Sequence, residues 1–394
     1  MQDPNPAVLW HHMHASAPTF VNIRRQLHAW PELAFKESRT SELVAQCLES
    51  WGYAVTRGIA ETGLVGVLRR GQGTKSLGIR ADMDALPIQE RTGASWASQV
   101  PGTMHACGHD GHTAMLLHAA QHLAQSVEFS GTLNLIFQPA EENEGGALRM
   151  VEEGLFERFP CDEIYALHNA PGLPVGQMAI TAGPAMASFD RVTVTLRGRS
   201  AHGAMPHHGV DSMQCAASIV LGLQSLITRE IDAQRAAVIT VGSLQAGEVY
   251  NIVPESATLK IGVRALDPAV RALLETRIQA FVRGQARSYG LDCEIEYLRK
   301  YPVLVNPPAQ TEFARATAIS LLGSESVSER EPTMGSEDFA YMLQQRPGAY
   351  IRLGNGTGDA GGRMVHNPLY DFNDKALPIG AAYWVHLAQR YLCD

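Results

Sequence analysis

Charge is scarce in this chain and nowhere concentrated. Charged residues make up 18% of the sequence and the formal net charge is -8. With no dense basic run, nucleic acid and anionic membrane surfaces are not expected partners. No run of about 18 apolar residues occurs, so no membrane span is expected. The start, Met1-Gln-Asp-Pro-Asn-Pro6, lacks a basic segment leading into an apolar one, so no secretory signal is visible. Cysteine is sparse too: the six residues Cys47, Cys107, Cys161, Cys215, Cys293 and Cys393 lie at long intervals that match no disulfide framework. Reduced thiols in a cytoplasmic location are the expectation. Repeats and low-complexity tracts are also lacking.

What is present is ample apolar material, 45% of 394 residues, more than one core usually supports, so two domains are expected. After helical patterns through Arg24, Arg25 and Leu27 and over Ser38–Trp51, apolar runs alternate with helical segments: strand Ser76–Arg80, helix Gly111–Gln125, strand Thr132–Gln138, helix Gly146–Glu153, strand Glu163–His168. This alternation predicts an α/β domain with a mainly parallel sheet flanked by helices. The pattern changes after Gly183-Pro184. Strand Arg191–Arg197, helix Val210–Arg229, strands Ala237–Val241 and Ser256–Val263, helix Pro268–Tyr289 and strand Asp292–Leu298 follow in the order β-α-β-β-α-β. That is a ferredoxin-like α+β arrangement. It predicts a domain at 184–299 inserted into one formed by 1–183 and 300–394, with hinges near Ala182–Pro184 and Lys300–Pro302. The first domain resumes with strand Gly348–Leu353 and closes with helix Lys375–Tyr391.

The densest chemistry is His105-Ala-Cys107-Gly-His109-Asp110-Gly-His112, ahead of an amphipathic helix. A thiol and an imidazole two positions apart on a glycine bend can aim at one point, and both ligate borderline divalent metals. The competing account is a polar loop whose histidines cap the next helix. Gln138-Pro-Ala-Glu141-Glu142 ends a buried strand, where ligands gather in open α/β sheets. Adjacent carboxylates there point differently, so one can hold a metal while its neighbour moves protons. The plainer account is acid residues favoured at a helix N-terminus. His168 ends another apolar strand, and His366 lies in Val365-His366-Asn367-Pro368. Spacing alone leaves their convergence open.

These residues, with Arg80-Ala-Asp82-Met-Asp84-Ala-Leu-Pro and Gly335-Ser-Glu-Asp-Phe339, resemble the M20 metallopeptidase family, in particular its aminoacylase, hippurate hydrolase and auxin-conjugate hydrolase branch. The resemblance runs in order over nearly the whole chain. It implies a zinc-peptidase-like catalytic domain and an inserted dimerisation domain. It implies two divalent ions, Mn, Zn, Ni or Co, held by a bridging Cys107 with His109, Glu142, His168 and His366. Glu141 would be the general base for water whose pKa such ions lower from about 15.7 toward about 7. Asp82 would support the site without binding. In the inserted domain the resemblance makes His202 the residue that reaches a neighbouring subunit's site, with Asn251 and Arg264 contacting the substrate. The implied substrate is a small N-acyl amino acid, and the implied assembly is a homodimer through the inserted domain, whose closure would bring His202 toward substrate.

Three rivals stand beside this. Cys107 and His109 could be nucleophile and base of a cysteine hydrolase, a pairing that residues two apart on a bend rarely achieve. The chain could be a metal-binding relative without turnover, which leaves Glu141 unexplained. It could instead be a dipeptidase or another amidase of the family. His207 and His208 read as surface or capping residues, and His11, His12 and His14 as a solvated helix face. His118 and His122, one turn apart, read as structural, as do Met83, Met104, Met115 and Met205. Phe339 and Tyr341 could line an acyl pocket or the core.

Overall fold

The computed structural model describes residues 6–142, 144–359 and 361–393. The chain divides into two compact units: one takes in Met1–Gly183, Val305–Glu331 and Asp338–Asp394, the other Pro184–Leu304 and Pro332–Glu337.

The first unit is built on an eight-stranded sheet. Its interior strands are Ser76–Asp82, Gly131–Gln138, Glu163–Pro171 and Gly348–Gly356, paired in parallel. Ser76–Asp82 is buried at every position. A strand covered on both faces loses the apolar-polar alternation, as in the unbroken Ile164-Tyr-Ala-Leu167 of Glu163–Pro171. Helices His109–Ser126 and Leu377–Leu392 pack on this sheet and on each other. Their approach is close: a Cβ on Gly380 would lie 2.0 Å from the Met115 sulfur. The helix Pro6–Ala29 packs on both.

The edge departs from expectation. Ala54–Ile59 and Gly63–Arg70 form an antiparallel hairpin that pairs antiparallel onto Gly131–Gln138. The chain turns through Ala60 and Glu61, at φ of 50° and 68°. Tight hairpins that need positive φ select Asn or Gly, and here neither is present, so the turn carries no sequence signal.

The second unit has a four-stranded antiparallel sheet in the order Ala237–Ala246, Ser256–Ala265, Ser188–Arg197, Asp292–Arg299. With helices Ser212–Glu230 and Pro268–Ser288 it is the expected ferredoxin-like arrangement. Buried and half-buried positions alternate along Ser188–Arg197, as a sheet with one covered face requires. The first helix starts at Ser212 and not at Val210, because the Asp211 carboxylate accepts from the Met213 and Gln214 N–H groups at 2.9 and 3.0 Å.

Met83, Met104 and Met115 are buried, but Met205, expected to pack, is exposed beside the 3-10 turn Pro206–His208. His11, His12 and His14 line an exposed helix face. His118 is buried, stacked on Phe20 at 4.3 Å between ring centroids. Phe339 belongs to the core.

Candidate metal centre

The carboxyl ends of the parallel strands deliver the predicted residues to one place. Cys107 and His109 flank Gly108, which sits at φ 93° as the residue before the helix His109–Ser126. A Cβ on Gly108 would come within 2.5 Å of both the Asn169 amide nitrogen and the Tyr370 hydroxyl. Only glycine allows this approach at this backbone angle. Asn169 in turn donates to the Cys107 carbonyl at 2.6 Å and accepts from Tyr370 at 2.7 Å, tying the loop to the strand that carries His168.

His109 is held by Asp84: Nδ1 lies 3.1 Å from Asp84 Oδ1. The opposite nitrogen, Nε2, is buried without a hydrogen-bond partner among the described residues. In the neutral imidazole, Nδ1 donating to a carboxylate leaves Nε2 with a lone pair, the arrangement of a metal-ligating histidine. The other Asp84 oxygen accepts from the Glu142 N–H at 3.0 Å. One carboxylate therefore orients two of the expected ligands.

Glu141 and Glu142 follow a turn at Ala140, whose φ of 54° is rare for a residue with a side chain. That conformation costs about 1–2 kcal/mol relative to the right-handed one. The turn sends the two carboxylates different ways. Glu142 meets His366 Nε2 at 3.1 Å, and ligand atoms of Cys107, Glu142 and His366 all lie within 4.8 Å of one another, as do those of His109, Glu141 and Glu142. His168 Nε2 is 3.3 Å from the Cys107 sulfur. Glu141 is 6% exposed and accepts from the Asp338 N–H at 3.3 Å. Asp338 is itself fixed by Gln138, at 2.7 Å, and by the Ala147 N–H, at 2.9 Å.

Asp82 and His112 also fall within ligand range of His109 and His168. Both are already engaged. His112 Nε2 accepts from the Asn169 N–H at 3.0 Å, which leaves Nδ1 protonated and donating to Asp82 Oδ1 at 2.6 Å. The other Asp82 oxygen accepts from Arg80 at 2.6 Å. These two residues brace the site. Sequence reasoning gave no role to His112, although it closes the Cys-Gly-His-Asp-Gly-His run, and none to Asp84.

The electrostatics are those of a cluster with too much negative charge for an apolar setting. Burial, then the Glu142 and Glu141 carboxylates, push the Cys107 thiol well above its usual range. A cysteine nucleophile needs the reverse, and the histidine beside the sulfur is His168, not His109. Burial alone would lower His109, but Asp82 and Asp84 outweigh it and carry the imidazole up to about 10. Burial would raise Glu142, but His366 and His109 hold it low. His168 is kept neutral by burial and by His112. His105 is buried with neither ring nitrogen hydrogen-bonded among the described residues, and burial pushes it down to about 4.

Asp110, next to His109, anchors a second buried cluster. Arg24 Nε lies 2.8 Å from Asp110 Oδ2, and neither side chain is exposed. Arg24 also pairs with Asp371. His28 Nδ1 is 2.8 Å from Asp110 and its Nε2 is 3.2 Å from Glu90. The first helix is thereby joined to the loop that carries Cys107 and His109.

His202, Asn251 and Arg264 lie on the second unit. His202 and Ile252 face each other in a short antiparallel ribbon, and the Asn251 carbonyl accepts from the Gly203 N–H at 2.7 Å. His202, Tyr250 and Asn251 are exposed. Arg264 lies over the Phe189 ring at 4.5 Å and donates to the Met334 carbonyl and the Ser336 hydroxyl at 2.8 and 2.9 Å.

Comparison with known proteins agrees with this architecture. The chain is 42% identical over 374 residues to a hippurate hydrolase of Campylobacter jejuni, covering 95% of this chain and 96% of that one. It is 33% identical over 375 residues to an N-acetyl-L-cysteine deacetylase of Bacillus subtilis, with 95% and 88% covered. A crystal structure of a dinuclear metal-binding M20 peptidase from Bacillus subtilis superposes with a TM-score of 0.83 at 31% identity, covering 96% of this chain and 99% of that one. Residues 78–390 match the model of peptidase family M20/M25/M40, and with the likeness extending over almost the full length, the chain belongs to that family.

Proposed function

We propose that this protein is a metal-dependent amidohydrolase that cleaves the amide bond of N-acyl amino acids of the hippurate or N-acetyl type. The observation that carries the reading is the cluster of Cys107, His109, Glu141, Glu142, His168 and His366 at the carboxyl ends of the sheet, with the buried His109 Nε2 at its centre hydrogen-bonded to none of the described residues. A thiol, carboxylates and imidazoles packed together are costly without cations, and this donor set suits borderline divalent ions such as Mn, Zn, Ni or Co better than calcium. In this reading Cys107, His109, Glu142, His168 and His366 would hold two ions. Bound there, the ions supply Lewis acidity and make water a nucleophile near neutral pH.

The remaining chemistry belongs to side chains. Glu141, which accepts from the Asp338 N–H, takes the proton of the attacking water and returns it to the leaving nitrogen. Asp84 and Asp82 keep the ligands oriented. The names of the relatives support the substrate class: one is a hippurate hydrolase and another an N-acetyl-L-cysteine deacetylase. His202 is assigned to the active site of a neighbouring subunit, and Asn251 and Arg264 to the polar groups and carboxylate of the substrate. The inserted domain, 184–299, is read as the dimerisation domain and 1–183 with 300–394 as the catalytic one. In support, the strand Ala237–Ala246 is an unpaired sheet edge with Val238 and Leu244 exposed, and Leu221 on the neighbouring helix is 78% exposed. A second copy can cover such an edge by symmetric pairing. No described helix is long and apolar enough to cross a membrane, and the free cysteines support a reducing, cytoplasmic location.

The test is release of benzoate or acetate from a panel of N-acyl amino acids by Mn-loaded protein, beside Glu141→Gln. The variant is expected to retain its ions by elemental analysis and to lose turnover by about 100-fold or more. Undiminished turnover in Glu141→Gln, or a fully active parent with no stoichiometric metal, would overturn the reading.

A further inference from the structure

The loop before the helix Ser38–Ser50 places a carboxylate where no local structure needs it. Glu37 occupies the position that precedes this helix, yet its side chain makes no cap bond. Capping is done instead by Glu32, which accepts from the Arg39 and Thr40 N–H groups at 3.0 and 2.9 Å. Glu37 is fully buried. Its Oε1 accepts from the Ala140 N–H at 2.9 Å, and its Oε2 accepts from the Thr62 hydroxyl at 2.5 Å.

Ala140 is the residue at φ 54° that sends Glu141 and Glu142 apart. Two buried carboxylates thus hold this turn by its backbone, Glu37 on the N–H of residue 140 and Asp84 on that of residue 142. On the other side the Ala140 carbonyl accepts from the Gly146 N–H at 3.0 Å. The space around the turn is closed: a Cβ on Gly146 would lie 1.8 Å from the Pro139 carbonyl oxygen, and one on Gly63 would lie 2.8 Å from Pro139 Cδ.

We infer that Glu37 is a positioning residue for the reaction, setting the directions of Glu141 and Glu142 through the Ala140 N–H. The inference rests on the roles given above to Glu141 and Glu142. Glu37 itself touches neither substrate nor ion. Its carboxylate closes the one backbone donor that must be satisfied for Ala140 to stay in its left-handed conformation in a buried turn. Without it the peptide between residues 139 and 140 can rotate toward another acceptor, and both carboxylates move with it.

The experiment compares Glu37→Ala, Glu37→Gln and Glu37→Asp with the parent and with Glu141→Gln. Each is measured for kcat, KM, and retention of Mn against a competing chelator. A displacement of about 1 Å in a catalytic group lowers rate on the order of 100-fold. Glu37→Ala is therefore expected to lose about that factor in kcat with KM little changed, and to release Mn at lower chelator concentration. Glu37→Gln keeps a carbonyl oxygen for the Ala140 N–H and should recover most of both losses. Glu37→Asp, which keeps the charge but shortens the reach to the Ala140 N–H by one methylene, should lower kcat and Mn retention in the same sense. It keeps the test open if Glu37→Ala does not fold. Parental kcat and Mn retention in a folded Glu37→Ala, or in Glu37→Asp should that protein not fold, would overturn the inference. So would equal losses in Glu37→Ala and Glu37→Gln. Were Glu141→Gln fully active, the underlying reading would fail instead.

Discussion

Replacing Arg24 by Met tests whether the buried cluster under the His105–His112 loop holds the protein together. The Arg24 and Asp110 side chains are both fully buried, with Nε and Oδ2 2.8 Å apart. Removing one partner of a buried pair leaves the other charge uncompensated and costs about 3–5 kcal/mol. Asp371 and Asp374 retain water, at 32% and 20% side-chain exposure, and add little to the loss. His28, still 2.8 Å from Asp110, offsets part of it while protonated. The lower end is therefore expected near neutral pH, about 3 kcal/mol, or a fall in Tm of roughly 6–12 °C in a body of this size. Urea denaturation of the metal-free protein, for Arg24→Met, Asp110→Asn and the double variant, closes a thermodynamic cycle. The double variant, carrying no buried charge at these positions, should be more stable than Arg24→Met. Single losses that simply add, or an Arg24→Met protein within 1 kcal/mol of the parent on the scale that separates contacting from independent residues, would refute the reasoning.

Three further outcomes are expected. Burial works against the His28 imidazolium, but Asp110 outweighs it and raises the group to about 9. A folded value above the unfolded 6.5 adds stability that is complete below about pH 6.5 and is lost as pH rises through 9, about 3 kcal/mol in all. His28→Gln should flatten the fall in metal-free stability between pH 6.5 and 9, and an unchanged profile would count against the assignment. Gly108→Ala, at φ 93° and 2.5 Å from two neighbours, should melt lower by about 2 kcal/mol or more and retain Mn poorly; parental melting and retention would contradict the tight fit. Cys107→Ser should lose at least one ion per chain by elemental analysis, and two ions retained as tightly as in the parent would deny the thiol the ligand role proposed for it.

The parts of the site that could be read from sequence are those whose chemistry is compressed into short runs. Cys107-Gly-His109 and Glu141-Glu142 combine donor type with a bend or a strand end, and a strand buried on both faces, such as Glu163–Pro171, announces itself by the unbroken apolar run Ile164–Leu167. What escaped notice is held by bonds between distant side chains and backbone. Glu37 and Ala140 are joined across 103 positions, and Arg24 and Asp371 across 347, with no periodicity to betray either. Asp84 was visible only as part of a motif, since its two acceptor contacts come from different elements. The Ala60–Glu61 turn escaped for a local reason: positive φ without glycine or asparagine leaves no compositional mark. Met205 shows the converse, a residue whose apolar type said core and whose loop kept it in water.

The interruption of the first unit by the second also governs the order in which this molecule can come into being. Strand Gly348–Gly356 sits directly beside Glu163–Pro171 in the sheet, yet the stretch Pro184–Leu304 is synthesised between them. That intervening stretch is contiguous and has its own core, so it can be complete while its host still lacks a neighbour for the strand bearing His168. Until the last portion of the polypeptide leaves the ribosome, that strand presents a bare flank and the proposed cation site lacks His366. A product terminated before Gly348 should therefore be both sticky and inert, and the long reach between partners makes the final zippering of the sheet the slow event.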